Sequence, residues 1–297
     1  MFIKKNINED KLVIPYDNLK KQYLLMKAIV SHDIDHLTLT EHYLKDLIVP
    51  KHFVRSYIEL FCGKISISEL LHRYGDVFKN QWQHIEALYE FNTKNKVPTT
   101  YFIGVNNGVG LSYTKQQAAF WIHKMLQMGC EVGVHGIEFE NFEKINSEYS
   151  LFKDISKQAT FGTRMHYIRT NEQTFSNMAK AGYSFDSSEM SFKAPYKIGS
   201  MWEFPFQIMD GYIIEKPKQW QSKNFAQSCE ETKKIIDKVV DLKLPYLGID
   251  FHDRYFSDSH KTWKDWYMWL IEYLVSQKIE FVNFKQAVGE LDNSTIR

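Results

Sequence analysis

Two aspartates spaced two apart, Asp33 and Asp35 in S-H-D-I-D-H, follow the apolar run A-I-V. His135 ends E-V-G-V-H, and His252 with Asp253 ends Y-L-G-I-D-F-H-D. Carboxylates and imidazoles are the groups that hold cations and transfer protons near neutral pH. Each has a plainer reading alone: an Asp after a strand is often a helix cap, His135 beside Gly136 could be a buried core imidazole, and His252 could serve only its own loop. Their joint occurrence at strand ends points to a site, because the carboxyl ends of strands in α/β barrels gather loops from separate parts of the chain onto one mouth. Residues two apart on a strand share a face, so Asp33 and Asp35 point into that mouth while His32 and His36 turn away to supporting positions.

The elements that must position these residues are legible as alternation. Short apolar, β-branched or aromatic runs at Ala28 to Val30, Thr99 to Val105, Glu131 to His135, Tyr183 to Phe185, Tyr246 to Phe251 and Glu280 to Phe284 read as strands. Helical patterns separate them, which predicts α/β architecture with a parallel sheet. Ala118, Trp121, Ile122, Met125 and Leu126 recur at helical spacing between Thr114 and Met128, and Gly129 stands where a carboxyl-terminal cap belongs. The segment from about 37 to 96 is helical in pattern, with L-K-D-L-I-V, V-R-S-Y-I-E-L-F and W-Q-H-I-E-A-L-Y-E-F as its helices. It reads as an insertion after the first strand. No Pro-, Gly- or Ser-rich linker divides residues 1–297, which predicts a single domain.

Composition narrows the function classes. With 37 basic and 36 acidic side chains the formal net charge is +1, so no overall field draws the chain to nucleic acid or to an anionic membrane. The three cysteines, Cys62, Cys130 and Cys229, lie far apart with no C-x-x-C pairing, which argues against a disulfide framework or a thiolate zinc site and for a reducing compartment. The start M-F-I-K-K-N-I-N-E-D has no apolar stretch behind it, so no signal peptide is read. The run Trp266 to Val275 is too short to span a bilayer, is broken by Glu272, and reads as an amphipathic helix packed on the sheet. The expectation is a cytoplasmic protein without a transmembrane segment. Aromatic residues make up 15% of the chain, suited to a sugar-binding cleft and equally to a Tyr- and Phe-rich core.

Six segments in order, S-H-D-I-D-H, T-Y-F-I-G, G-C-E-V-G-V-H-G, G-T-R-M-H-Y-I-R, G-Y-S-F-D-S-S and G-I-D-F-H-D-R-Y-F, resemble the successive motifs of the polysaccharide deacetylase (NodB-homology) family. The resemblance runs from about Ile29 to Phe284 and implies a distorted (β/α) barrel, here with a helical insertion after the first strand. It implies a hydrolase that uses one divalent metal to remove an acyl group, acetyl or formyl, from an amide nitrogen on a sugar. Carried over by position, Asp33 is the general base, Asp35 and His135 are metal ligands, Arg164 orients the base and His252 is the general acid. Such a metal lowers the pKa of a water and polarises the amide carbonyl, while a carboxylate and a protonated imidazole move the protons. Zinc suits the ligand types first; nickel, cobalt or iron could occupy the same set.

One departure matters. Many members carry H-x-x-x-H in the motif of His135, and here the fourth residue onward is Phe139, which cannot ligate. Two protein ligands are too few for catalytic zinc, which ordinarily has three. The chain resembles the branch associated with bacterial surface-polysaccharide biosynthesis, where R-x-H-Y-x-R stands in the later motif. His166 is therefore the expected third ligand, with Glu138 as the competitor. Asp186, Trp202 and Tyr255 are weaker candidates for substrate contact, as is Phe206; each has a structural reading as a capped carboxyl or a core aromatic.

The expected partner is an N-acylated sugar, a sugar nucleotide or a lipid-linked glycan precursor. An amidohydrolase- or phosphoesterase-type barrel is disfavoured, because H-x-H on the first strand and a bridging Lys are missing. A non-catalytic glycan- or sugar-nucleotide-binding protein on the same fold is the alternative. The missing histidine supports that alternative, and the retention of Asp33, Arg164 and His252 counts against it.

Overall fold

A computed structural model describes residues 26–42 and 47–295. The amino-terminal stretch read for a signal peptide, and the first half of L-K-D-L-I-V, lie outside the described residues. Nine strands form a curled sheet in the order β6-β7-β5-β4-β3-β2-β1-β9-β8, and β10 pairs with β1. The strands are β1 (Lys27–Ile34), β2 (Thr99–Ile103), β3 (Glu131–Gly136), β4 (Thr163–Met165), β5 (Phe185–Asp186), β6 (Tyr196–Ile198), β7 (Met201–Glu203), β8 (Ile208–Met209), β9 (Tyr246–Asp250) and β10 (Glu280–Val282). All pairings are parallel except β6 with β7. This is the α/β architecture with a largely parallel sheet expected from the alternation, in the distorted barrel form that the resemblance implies.

The long strand β1 shows how the pattern builds two environments. Its residues are buried on both faces, as a parallel strand covered by helices requires. Ala28, Val30 and Ile34 pack into the large core beneath the helices. Ile29 faces the other way into an aromatic interior with Phe102, Phe185, Phe204, Tyr246 and Phe284. Ser31 and Asp33 continue that inner face, so the barrel has an aromatic floor and a polar mouth. Register then sets neighbours: Ser31 stands beside Asp250 of β9, and His135 of β3 beside Arg164 of β4.

The helices follow their sequence signals. Lys115–Gln127 begins at Thr114, whose hydroxyl accepts from the Gln117 amide while the Gln117 side chain returns to the Thr114 amide, and Gly129 takes the left-handed conformation beyond its end. Lys261–Ser276 buries Trp263, Trp266, Tyr267, Leu270, Ile271 and Leu274 against the sheet. Between β1 and β2 lie helices Ile48–Phe61, Ile67–Lys79 and Ile85–Lys94. The first two form a hairpin held by Arg73, which donates to Glu59 at 2.7 Å, to the Ser56 hydroxyl at 2.7 Å and to the Ser259 carbonyl at 2.9 Å. The ion pair closes the hairpin, and the bond to the Ser259 carbonyl ties it to the loop after β9.

The approach of β3 to β4, which brings His135 alongside Arg164, depends on a missing side chain. A Cβ on Gly133 would lie 2.7 Å from the Gly162 carbonyl oxygen and 2.9 Å from the Phe102 ring. A backbone atom cannot rotate aside, so the strands themselves would have to part. Gly133→Ala is expected to destabilise the protein by about 1–3 kcal/mol in chemical denaturation; an unchanged midpoint would show that the strands separate freely.

Candidate metal centre and catalytic cleft

A cavity of about 360 Å³ opens at the carboxyl ends of the strands, with Asp33, Asp35, His135, His166, His252 and Tyr255 in its wall. Asp35, His135 and His166 converge on one point. His135 Nε2 lies 3.2 Å from Asp35 Oδ1, His166 Nδ1 lies 3.2 Å from the same oxygen, and the two ring nitrogens are 3.0 Å apart. His166 reaches this point because β4 ends at Met165 and the chain turns through Tyr167 at φ 58° and Ile168 at φ 48°. Two successive non-glycine residues in the left-handed region are unfavourable locally and are held here by what surrounds them.

The outer nitrogens of both rings are committed. His135 Nδ1 lies 3.1 Å from the Arg164 carbonyl, and His166 Nε2 lies 3.0 Å from the Val109 carbonyl. A carbonyl only accepts, so each outer nitrogen carries the proton and, in a neutral ring, the inner nitrogen carries a lone pair. Three acceptors then face one another at 3.0 to 3.2 Å, and buried Asp35 Oδ1 has no hydrogen-bond donor. Such a centre demands positive charge. Burial works to raise the Asp35 carboxyl, but His166 and His135 outweigh it and hold it well below the usual carboxylate range. Burial likewise opposes charge on His135, and Asp33 with Asp35 reverses the balance and raises it.

The three donors fit a divalent cation. Their separations of 3.0 to 3.2 Å approach the edge of about 3.3 Å that bonds of about 2.0–2.1 Å make in a tetrahedral shell. The backbone acceptors behind both rings are the usual supports of metal-binding histidines. A second group, Asp33, Asp250 and His252, also brings ligand atoms close together. There the guanidinium of Arg164 already stands between the carboxylates, so added positive charge is opposed.

Arg164 is fully buried beneath the mouth, its guanidinium carbon 4.7 Å from the Phe102 ring centre and 4.9 Å from that of Phe206. Its Nη1 donates to Asp33 at 3.1 Å, to Asp250 at 2.8 Å and to Ser31 at 2.8 Å, and its Nε to the Ser187 carbonyl at 2.8 Å. Burial, then repulsion from Asp33, pushes the Asp250 carboxyl up to about 8. Across the cleft, His252 Nδ1 lies 2.9 Å from Asp210 Oδ1, and Asp210 Oδ2 accepts from the His252 amide at 2.7 Å. Burial disfavours the imidazolium, but Asp210 outweighs it and raises His252 well above its ordinary value. His252 Nε2 points inward, 3.6 Å from Asp35 Oδ2.

Asp210 and Asp250 were not singled out from the sequence. Asp250 sat within the quoted Y-L-G-I-D run, two residues before His252, where its inward phase on the strand was a usable signal. Asp210 follows a two-residue strand with no periodic pattern, and only the tertiary fold brings it to His252.

Other candidates lie elsewhere. Asp186 is buried behind Arg164 and is occupied by Ser188, whose hydroxyl donates to it at 2.7 Å, and it faces Glu203; it does not line the cleft. Trp202 belongs to the aromatic floor, with its indole N–H donated to Asp292 at 3.0 Å. Phe206 is buried under Arg164. Glu138 accepts from the Glu140 and Asn141 amides at 3.0 and 3.1 Å and pairs with Lys144, which turns it out of the cleft. His32 faces the helices, between the Phe251 carbonyl at 2.8 Å and Asn92 at 3.0 Å, and burial drops its pKa to about 3. His36 does reach the cavity wall, against the expectation that it turns away, because β1 has ended at Ile34 and the alternation no longer applies. Tyr255 lines the cleft with its ring stacked on Trp263.

No family model matches the chain, and no curated protein matches its sequence. Solved structures do match its fold. A protein described as a polysaccharide deacetylase from Mycobacterium smegmatis superposes with a TM-score of 0.61 at 13% identity, covering 91% of this chain and 92% of that one. A protein described as a probable polysaccharide deacetylase from Pseudomonas aeruginosa PAO1 gives 0.59 at 13% identity over 90% and 91%. Puue allantoinase gives 0.59 at 13% identity over 90% of each chain. At this identity the likeness establishes the fold, which is that of the polysaccharide deacetylases.

The donor geometry yields a test that needs no substrate. Replacing an outer support of a ligand costs about 10–100-fold in metal affinity. His166→Ala, which removes a donor, is therefore expected to weaken Zn²⁺ or Co²⁺ binding by more than about 100-fold in calorimetric titration. Glu138→Gln should leave it unchanged. Affinity should also fall in acid, because raised His135 keeps its proton and competes with the cation. Equal affinities in wild type and His166→Ala would remove His166 from the site.

Proposed function

We propose that the protein is a metal-dependent carbohydrate de-N-acylase that removes an acetyl or formyl group from a sugar of a surface-glycan precursor. The observation that carries this reading is the acceptor-only centre of Asp35, His135 and His166, flanked on one side by Asp33 and on the other by His252. Asp33 Oδ2 is 3.8 Å from His135 Nε2 and His252 Nε2 is 3.6 Å from Asp35, so a base and an acid border the same point. In this reading residues 1–297 form one catalytic unit, and the helices of the 37–96 segment are an insertion that walls the cleft.

The cation, zinc first among the candidates, would be held by Asp35, His135 and His166 and would supply Lewis-acid chemistry, acidifying water and polarising the amide carbonyl. Asp33 takes the proton from the attacking water. Arg164 donates to that carboxylate and holds it in one orientation, so the lone pair aims into the cleft. His252, kept protonated by Asp210, gives its proton to the departing nitrogen as the carbon–nitrogen bond breaks. The products are the free amine on the sugar and acetate or formate. Free Cys62, Cys130 and Cys229 suit work in the cytoplasm, where such precursors are built.

Asp33→Asn should keep metal affinity but lower turnover by about 10²–10⁴-fold, as loss of a general base does. Asp35→Asn should lose the metal, since an amide is a weak ligand. Equal metal loss in the two variants would undo the division of roles. The pH profile separates the acid. A raised His252 stays protonated to higher pH, so activity extends into the alkaline range and falls only as that proton leaves. Asp210→Asn removes the carboxylate responsible, and the alkaline limb of kcat should move to lower pH; an unmoved limb would mean that His252 is not the acid.

A further inference from the structure

The hairpin of helices Ile48–Phe61 and Ile67–Lys79 presents to solvent the face that a surface helix ordinarily keeps polar. Val54 is 60% exposed, Phe61 85%, Ile67 69%, Leu71 64% and Phe78 90%. Val54 and Phe61 are seven apart on one helix, as are Leu71 and Phe78 on the other, so each pair stacks along a single stripe. Apolar residues scattered singly over a surface are ordinary, but a continuous stripe on two adjacent helices marks an interaction surface.

Charge decides what covers it. Every acidic side chain between Leu47 and Asn80 is engaged inward: Glu59 pairs with buried Arg73, Glu69 caps its helix through Ser66, and Asp76 accepts from the Ser259 hydroxyl. The basic ones, Lys51, His72 and Lys79, are exposed, with Arg55 and Lys64 half-buried at the edges. A second copy would set the same cationic face against itself. Residues 1–25 carry five lysines against three acids, so that segment is also of the wrong sign. An anionic lipid surface matches both the apolar stripe and its basic border. No helix among the described residues is long and apolar enough to cross a membrane, so the contact is peripheral.

The inner edge of the same hairpin belongs to the cleft. A cavity of about 200 Å³ adjoins the catalytic one and shares with it Arg55, Tyr167, Glu215, Arg254 and Tyr255. The Arg254 guanidinium lies over the Trp82 and Tyr255 rings, and its buried Nε has no hydrogen-bond acceptor. We infer that the hairpin docks on an anionic bilayer, and that the sugar entering the cleft is carried on a lipid phosphate whose charge falls to Arg55 and Arg254. The substrate half of this inference rests on the de-N-acylase reading; the docking half does not.

Sedimentation of the full chain with vesicles tests docking without any turnover. The wild type should bind vesicles of phosphatidylcholine with phosphatidylglycerol and bind pure phosphatidylcholine weakly. Phe61→Glu/Phe78→Glu should lower partition at least about tenfold while far-ultraviolet circular dichroism and Zn²⁺ affinity stay as in the wild type. Leu242→Glu, 49% exposed on another helix end, should bind as the wild type does. Absence of vesicle binding, or equal binding by the double variant, overturns docking. A wild-type dimer in gel filtration that the double variant abolishes would assign the face to a second copy instead. For the substrate half, an N-acylated sugar phosphate anchored in those vesicles should be hydrolysed at least about tenfold faster than the same sugar as a nucleotide. The reverse order would overturn the lipid carrier and leave docking standing, and hydrolysis of neither would count against the de-N-acylase reading.

Discussion

Arg164 places a guanidinium inside a barrel, on an aromatic floor, with no solvent to share its charge. The mouth is arranged around that cost. Asp33 of β1 and Asp250 of β9 accept from the guanidinium, and Ser31 and Ser187 take further N–H groups. A buried charge left without a partner costs about 3–5 kcal/mol, so each member fixes the others. One consequence reaches the chemistry directly: Asp33 cannot rotate away from the cleft without stranding the arginine. Another is steric, because the same requirement pins β4 beside β3 and so sets where the chain turns to deliver His166.

On this base the cleft divides into three electrostatic roles. The Asp35, His135 and His166 atoms face one another as acceptors and call for a cation. Asp33 is an anion beside that point, tied to a fixed positive charge. His252 is held towards its protonated form by Asp210 on the far side. Anionic and cationic character are thus favoured by different neighbours, which is how one site keeps a carboxylate and a raised imidazole within a few ångströms. Positive-φ residues at Val109, Tyr167 and Ile168 cluster around His166. Backbone strain is concentrated where the third donor is brought in, in place of the histidine that Phe139 lacks.

The hairpin adds a different kind of constraint. Its internal polar contacts, Arg73 with Glu59 and Ser259 above all, attach it rigidly to the loop that carries His252. Any surface that the outer face meets is therefore in mechanical register with the catalytic mouth. The basic and aromatic lining between them, Arg55, Arg254 and Tyr255, joins the two without a break.

Much of this was written locally. Alternation gave the central strands β1, β2, β3 and β9 and the helices between them, since each is long enough to show its period and to be ended by its own cap or turn. Asp33, Asp35, His135 and His252 were legible because they close those strands, and Arg164 and His166 because the segment G-T-R-M-H-Y-I-R resembles a family motif. The strands of two or three residues, β4 to β8, have almost no period to read, so which face their side chains take could not be told from the pattern. Asp210 reaches His252 only after β8 docks on β9, and Asp186 and Trp202 fall behind or below the mouth because strand register, not composition, decides which layer a side chain occupies. His36 enters the wall because β1 ends at Ile34, two residues before it. Residue types and short-range spacing fix what chemistry a chain can attempt. Distances of 3.0 to 3.2 Å among groups that come from three separate segments of the chain are set by packing, which no local pattern contains.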